Sequence, residues 1–202
     1  MPNWCDTTYK CTGNKKSLKK LYETLNKLKM DKTPRVGNDF GSLWLGCVVD
    51  KLGGDWEKVA CRGEVIDFSL NKTKDVLTIY QSTAWCEQRE FREFLEFTLP
   101  GIKIYYTEEE PGCDVYYTND KLGIFFPDRY ILDCDDGYND VSYEYYDSLE
   151  KVIGDMEEFM GEKYTGERTD SGVEKYLEEW NSRPENEDEY RHCYIHKFGY
   201  SE

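Results

Sequence analysis

The hydrophobic pattern changes from a period of two to a period of about 3.6 within the first 30 residues, which limits the folds open to the chain. Residues 3–12 alternate between side chains that favour β-structure, a pattern typical of a strand. Residues 17–30 carry leucines at three- and four-residue spacing with lysines between them, which predicts an amphipathic helix with Ser17 as its N-cap. The N-terminal segment therefore predicts a strand followed by a helix.

The same patterns return further along the chain. Apolar residues on either side of a polar turn predict a hairpin. A second amphipathic pattern predicts a helix that ends before Pro100, and aromatic segments after it predict further strands. This order predicts an α+β fold of the ferredoxin-like, split βαβ type, in which helices cover one antiparallel sheet. The predicted elements are strands over 62–70, 76–83, 103–107, 114–118 and 129–134, a helix over 89–99 and a short helix over 40–52.

The charge and the element pattern together divide the chain into two predicted parts. We expect a ferredoxin-like domain over 1–132 and an acidic, helical C-terminal extension over 133–202. The elements predicted in the extension are a helix from about Asp147 to 160, a helix capped by Asp170 or Ser171, a solvated loop over 185–189 and a last strand over 190–200.

The net charge of −15 is concentrated in the last third of the chain. Residues 133–202 contain 21 acidic and seven basic residues, a net charge of −14, whereas residues 1–35 carry +6. A surface of this sign repels nucleic acid and attracts a basic partner.

No motif of an established enzyme class occurs in the sequence, so we predict no cofactor and no catalytic residues. The eight cysteines are dispersed without a Cys-x-x-Cys pair, and we expect free thiols. His192 and His196 have metal-like spacing without a partner cysteine pair, so we predict no metal site there. The start of the chain has no signal-peptide pattern and no apolar run approaches the roughly 18 residues of a membrane span, so we expect a cytoplasmic protein of a host cell.

Several short motifs support a family resemblance over roughly residues 1–120. They are Met1-Pro2-Asn3-Trp4-Cys5 before a strand, Gly13 before a helix, Thr83-Ala84-Trp85 at a strand end, Leu99-Pro100-Gly101-Ile102, and Glu110-Pro111-Gly112. In combination they resemble the YubB-type ferredoxin-like proteins of phages, plasmids and other mobile elements. The resemblance implies an origin and a fold, and it supplies no catalytic residues.

An acidic segment in the extension has part of the spacing of a calcium-binding loop. Counting from Asp133, the oxygen-bearing residues Asp135, Asn139 and Glu144 fall at positions three, seven and twelve. Gly137 and Tyr138 occupy positions five and six, where a side-chain oxygen and a glycine are needed. The mismatches favour a solvated acidic turn.

The acidic extension and its many tyrosines favour a binding surface for a basic protein. We expect a non-enzymatic phage or mobile-element protein that acts as an anti-defence inhibitor, with an acidic surface that imitates DNA toward a basic host protein such as a nuclease or its nucleic-acid-binding groove. Two alternatives stay open: a nucleotide or single-stranded nucleic-acid binding module that stacks bases on Tyr105-Tyr106 and Tyr116-Tyr117, and a metal-dependent hydrolase. The candidate partner-binding residues are Asp133, Asp135, Asp136, Asp140, Glu144, Asp147, Glu174, Glu178 and Glu179.

Overall fold

The chain folds into mixed α/β structure. The computed structural model describes residues 3–138, 141–188 and 190–201, with the backbone alone at 187 and 188. These residues contain six α-helices and two sheets, of six and three strands. Two compact units form: unit 1 comprises Met1–Lys121 with Tyr200–Glu202, and unit 2 comprises Leu122–Gly199.

Unit 1 is built on the six-stranded sheet. The elements are β1 (Trp4–Gly13), α1 (Lys15–Met30), α2 (Leu45–Lys51), β2 (Gly63–Leu70), β3 (Val76–Ala84), α3 (Arg89–Thr98), β4 (Ile102–Glu110), β5 (Val115–Thr118) and the short edge strand β9 (Gly199–Tyr200). The strand order is β2-β3-β1-β4-β5-β9, and the pairs β1–β3, β1–β4, β2–β3 and β4–β5 are antiparallel.

One face of this sheet forms the core of unit 1, and β1 alternates between buried and more exposed side chains as predicted. On β1 the side chains of Cys5, Thr7, Tyr9 and Cys11 are buried, while those between them are more exposed. The leucines of α1 and the apolar residues of α2 and α3 pack on the same face. The predicted alternation and helical periods are therefore confirmed in this unit.

The α1 start differs from the predicted one by three residues. Asn14 is the N-cap, and its side chain accepts hydrogen bonds from the backbone N–H groups of Lys16 and Ser17. The prediction of Ser17 as N-cap was wrong: it lies inside the helix, and its hydroxyl donates to the Pro100 carbonyl at 2.9 Å. Gly13, just before the cap, has φ +108°, and a Cβ there would lie 2.2 Å from the carbonyl oxygen of Gly101.

Unit 2 contains its own three-stranded sheet, of which the sequence predicted two strands, over 129–134 and 190–200, and missed the third, at 141–146. The strand order is β7-β6-β8, both pairs are antiparallel, and helices cover one face. The predicted boundary between residues 132 and 133 falls inside β6, whereas the compact units divide between Lys121 and Leu122. The elements are β6 (Tyr130–Asp135), β7 (Val141–Tyr146), α4 (Leu149–Met160), α5 (Asp170–Asn181), α6 (Pro184–Asp188) and β8 (His192–Lys197).

Two local predictions in unit 2 are corrected by its hydrogen bonds. The α5 N-cap is Thr169, whose hydroxyl accepts from the Gly172 N–H, so the predicted caps lie within the first turn. Residues 185–188 of the predicted loop belong to helix α6, which begins at Pro184, a residue suited to a first helical position, and Glu189 lies outside the described residues. Asn186 is buried there, and its amide donates to the Trp180 carbonyl.

The helices were also compared with the length and hydropathy needed to cross a bilayer. Among the described residues, no helix is both long enough and apolar enough to do so.

Candidate functional site

An acid-lined cleft of about 370 Å³ lies in unit 2 beside α4 and the helix-covered face of β6 and β7. One of its carboxylates comes from β7 and two come from α4. The two on α4 lie on the same side of the helix, because residues 155 and 158 are about one helical turn apart. Apolar and aromatic side chains form the rest of its wall. The lining residues are Leu132, Cys134, Ser142, Glu144, Tyr146, Asp155, Glu158 and Phe159.

Hydrogen bonding fixes one of the cleft carboxylates. The Tyr146 hydroxyl donates to Asp155 Oδ2 at 2.7 Å, and burial together with this bond raises the pKa of the Tyr146 phenol. Tyr146 therefore stays neutral and holds the Asp155 carboxylate in place. Glu144 is exposed on β7 and Glu158 is exposed on α4. The cleft thus presents three exposed carboxylates to an incoming group, and the Asp155 carboxylate is held by the Tyr146 hydroxyl.

The basic side chains of unit 2 are largely engaged elsewhere. Arg191 lies over the Trp180 and Phe159 rings, with its guanidinium carbon 5.3 and 5.9 Å from their centroids. Ion pairs join Lys151 to Asp147, Lys163 to Glu157, Arg168 to Glu150, Lys175 to Glu179, Arg183 to Glu162 and Lys197 to Asp170. No lysine or arginine is among the residues that line the cleft. The charged side chains in the lining of the cleft are therefore acidic, and the guanidinium of Arg191 lies against one of its wall residues, Phe159.

The predicted partner-binding residues that the structure describes are distributed over several places in unit 2. Glu144 lies in the cleft, whereas Glu174 and Glu178 line a smaller cavity of about 140 Å³ between α5 and β8. Asp147 and Glu179 are exposed and paired with lysines. Asp133 and Asp135 belong to β6, Asp136 follows it, and Asp140 lies outside the described residues.

The hairpin geometry separates the residues that have part of the spacing of a calcium-binding loop. Glu144 is opposite Leu132 in the β6–β7 pair, so Asp133, the next residue on β6, lies on the other face of the sheet. Asp135 and Asp136 accept hydrogen bonds from the N–H groups two residues later, as in an acidic turn. Asn139 of the predicted loop lies outside the described residues.

Other metal arrangements were sought among the same residues. Across 3–138, 141–188 and 190–201, no group of three or more His, Cys, Asp or Glu side chains is placed to hold a metal ion. His192 and His196 occur in strand β8, so the helical spacing considered from the sequence does not apply.

Unit 1 contains a buried polar cluster at one end of its core. Arg92 Nε donates to Glu87 Oε1 at 3.0 Å, and the Tyr9 hydroxyl donates to the same oxygen. The backbone N–H of Glu87 and the Cys5 thiol both donate to Glu108 Oε2. Burial raises the pKa of Glu87 and of Glu108, and burial and the Glu108 charge raise the pKa of Cys5 to about 12. Cys5 is therefore a protonated thiol and a poor nucleophile.

Three of the five motifs behind the family resemblance lie beside this cluster. The Trp85 N–H donates to the Asn3 carbonyl at 2.9 Å, and Cys5 is opposite Thr83 in the β1–β3 pair. Glu110 ends β4 at the same end of the sheet, where Asn3 donates to the Cys113 sulfur at 2.8 Å. Trp85 has φ +74°, a strained value for a large side chain. These three motifs thus lie at one end of the unit 1 sheet, whereas Gly13 and the 99–102 segment meet at the other end of β1, where Gly13 is the register partner of Ile102.

The tyrosines predicted to stack on bases have different environments. Tyr106 and Tyr116 are buried, while Tyr117 is exposed and Tyr105 is half-buried. Tyr105 lies on the sheet face opposite α1 and α3, as does the exposed Tyr80, which the sequence analysis did not select.

Comparisons with known proteins were made at the levels of family, sequence and structure. A scan against protein-family models, a search of curated proteins and a search of solved structures found no match to this chain.

Proposed function

We propose that this chain is a non-enzymatic protein of a phage or mobile element that binds and inhibits a basic host protein, through the acidic surface of unit 2. The acid-lined cleft beside α4 is the observation that carries the proposal. A nucleic-acid-handling defence factor is the proposed kind of partner, because its basic groove is complementary to such a surface.

The cleft suits a lysine or arginine side chain of the partner. The carboxylates of Glu144, Asp155 and Glu158 can accept charge-assisted hydrogen bonds from an ammonium or guanidinium group. Leu132 and Phe159 supply apolar contact for the aliphatic stem of such a side chain. One anchoring side chain in a pocket with charges around it is a common source of binding energy in protein interfaces.

The strand order of unit 1 supports a ferredoxin-like assignment, which we include in the proposal. Helix α1 lies between β1 and β2 in the chain, α3 lies between β3 and β4, and the four strands take the antiparallel order β2-β3-β1-β4. This is the arrangement expected of a split βαβ fold. The proposed relation to the YubB-type proteins rests on the short motifs of residues 1–120 and on this strand order.

The binding proposal is tested with a fluorescent octa-arginine peptide titrated against the full chain at several salt concentrations. The Glu144→Gln, Glu158→Gln double variant should weaken binding about 5- to 30-fold at low salt, if each lost contact is worth roughly 0.5–1 kcal/mol. A matched control, Glu23→Gln with Glu57→Gln, removes the same charge from exposed positions of unit 1. Equal weakening in both variants, or affinity that does not change with salt, would contradict a cleft-based interaction.

Inhibition needs a separate measurement. The chain is titrated into a complex of a linker histone with a labelled DNA duplex, and release of the duplex is followed by anisotropy. Release by the wild-type chain, reduced in the cleft variant, is expected if the acidic surface competes with DNA. A duplex that stays bound while the chain binds the histone would show binding without inhibition.

A second candidate function is favoured by the sheet face opposite α1 and α3. Lys103 Nζ lies 4.5 Å from the centre of the Tyr105 ring, and Lys10 is the register partner of Tyr105. With the exposed Tyr80, this face offers aromatic and basic groups to a nucleotide or single strand. Filter binding of a labelled oligothymidylate at low salt tests it: Tyr80→Ala with Tyr105→Ala should abolish retention, whereas the cleft variant should leave it unchanged.

A further inference from the structure

Two cysteines of unit 2 face each other across neighbouring strands. Cys134 of β6 is the register partner of Cys193 of β8, and their sulfur atoms are 2.9 Å apart. Both residues are buried, and both thiols are free in the structure. The two side chains therefore already lie side by side in the folded unit.

The backbone at this position has the spacing that a disulfide requires. The Cys193 N–H donates to the Asn181 side chain at 2.8 Å, and the Asn181 amide donates to the Cys193 carbonyl at 2.9 Å. Because the backbone N–H and C=O of Cys193 both bond to the Asn181 side chain, Cys193 and Cys134 are a non-hydrogen-bonded pair of the antiparallel ladder. In such pairs the Cα atoms approach to about 4.5 Å, which lies within the range of about 4.4–6.8 Å found for disulfides.

We propose that Cys134 and Cys193 are a redox modification site that forms an intramolecular disulfide. The proposed oxidant is a low-molecular-weight disulfide of the glutathione type. Cys134, as a thiolate, attacks one sulfur of the reagent and releases one small thiol; Cys193 then attacks Cys134 of the mixed disulfide and releases the second. Two S–H bonds and the reagent S–S bond are broken, one Sγ–Sγ bond forms, and the two protons end on the released thiols or in solvent.

The acid-lined cleft provides the route for the reagent. Cys134 lines this cleft, whereas Cys193 is fully buried, so Cys134 is the thiol that meets the reagent first. The hydrogen bond with Cys134 and burial both raise the pKa of the Cys193 thiol. Closure of the disulfide should therefore be slow at neutral pH and faster at higher pH.

The link would join the central strand of the small sheet to its edge strand. It closes a loop over a sequence separation of 59 residues, which contains β7 and both long helices of unit 2. A cross-link over a loop of this length restricts the unfolded chain strongly. The oxidised chain should therefore unfold at a higher temperature than the reduced chain. This inference does not depend on the proposed function, because it requires no partner.

The experiment uses the full chain with Cys86→Ser and Cys113→Ser, which removes the two exposed thiols. The reduced protein is incubated with oxidised glutathione at pH 8, and a second sample is refolded from denaturant in a glutathione redox buffer. Both are quenched with acid, denatured, alkylated and digested for mass spectrometry. We expect a linked peptide pair containing Cys134 and Cys193, a mass loss of about 2 Da for one disulfide, and a higher unfolding temperature that dithiothreitol reverses.

Two controls make the result decisive. Cys193→Ser should lose the linked pair and hold Cys134 as a free thiol or a glutathione adduct. The chain that retains Cys86 and Cys113 shows, through adducts at these exposed thiols, that the reagent is active. Full alkylation of both Cys134 and Cys193 in the native and in the refolded samples would overturn the proposal, as would consistent linkage of either residue to a different cysteine.

Discussion

Replacing Arg92 by methionine should lower the free energy of unfolding of unit 1 by about 3–5 kcal/mol, because it leaves a buried carboxylate without its cation. The side chains of Arg92 and Glu87 are 7% and 4% exposed, and the Nε–Oε1 distance is 3.0 Å. For charge centres about 4 Å apart, an effective dielectric constant of 20 gives an attraction of about 4 kcal/mol. Methionine keeps much of the apolar volume over the Tyr106 ring, so the loss reports mainly on the charge.

The assay is hydrogen exchange of the β1 and β4 backbone amides, measured as a function of urea concentration. This local measurement is needed because the chain has two compact units, so a single unfolding transition of the whole chain need not report on unit 1. The control is the double variant Arg92→Met, Glu87→Gln, in which the new side-chain amide is intended to accept the hydrogen bond of the Tyr9 hydroxyl without a charge. Its stability should return to within about 1 kcal/mol of the wild type. A loss below about 1 kcal/mol in Arg92→Met, or a double variant as unstable as the sum of the single ones, would refute the argument.

Three further predictions concern unit 1. Burial raises the pKa of the Glu108 carboxyl, so the folded chain binds the proton of this carboxyl more tightly than the unfolded chain does. The free energy of unfolding that this proton contributes is therefore lost as the pH rises from the ordinary glutamate range through the raised pKa. Glu108→Gln should give a flatter profile of urea midpoint between pH 4.5 and 8 than the wild type, and parallel profiles would contradict this. Gly13→Ala should cost at least about 2 kcal/mol in thermal unfolding, because of the positive φ and the approach to Gly101. Asn14→Ala should cost about 1 kcal/mol and Asn14→Ser much less, and equal losses in a denaturant titration would argue against the cap.

The elements of unit 1 could be predicted because their signals are local and consistent. The alternation over 3–12 and the leucine spacing over 17–30 correspond to β1 and α1 within a few residues. The cap was misplaced because Asn14 and Ser17 are both good capping residues. What decides between them is the approach of the 99–101 turn, where the Asn14 N–H donates to Gly101 and Ser17 bonds to Pro100.

The sheet of unit 2 was harder to recognise because its outer strand lacks a clean alternation. In β7 a single side chain, Tyr146, is buried, and tyrosines occur on both faces of the strand. Such a segment has neither the period of a half-buried strand nor that of an amphipathic helix. Only the pairing with β6 gives it a defined structure, and that pairing depends on residues distant in the sequence.

The candidate cleft was predicted in part. Glu144 was selected from the charge pattern, whereas Asp155 and Glu158 were not. Both were visible as acidic residues one turn apart beside the apolar positions of α4, which suggests the same helix face. Their placement against β7 depends on how the helix packs on the sheet, and this is not encoded in any local spacing.

Asn181 has a consequence for how this protein behaves at high concentration. Strand β8 is an edge of the small sheet, and an unpaired edge can recruit a strand from another chain and start aggregation. The Asn181 side-chain amide forms hydrogen bonds with the backbone N–H and C=O of Cys193, as a neighbouring strand would. A single side chain at the end of α5 thus blocks intermolecular strand pairing near the start of this edge strand.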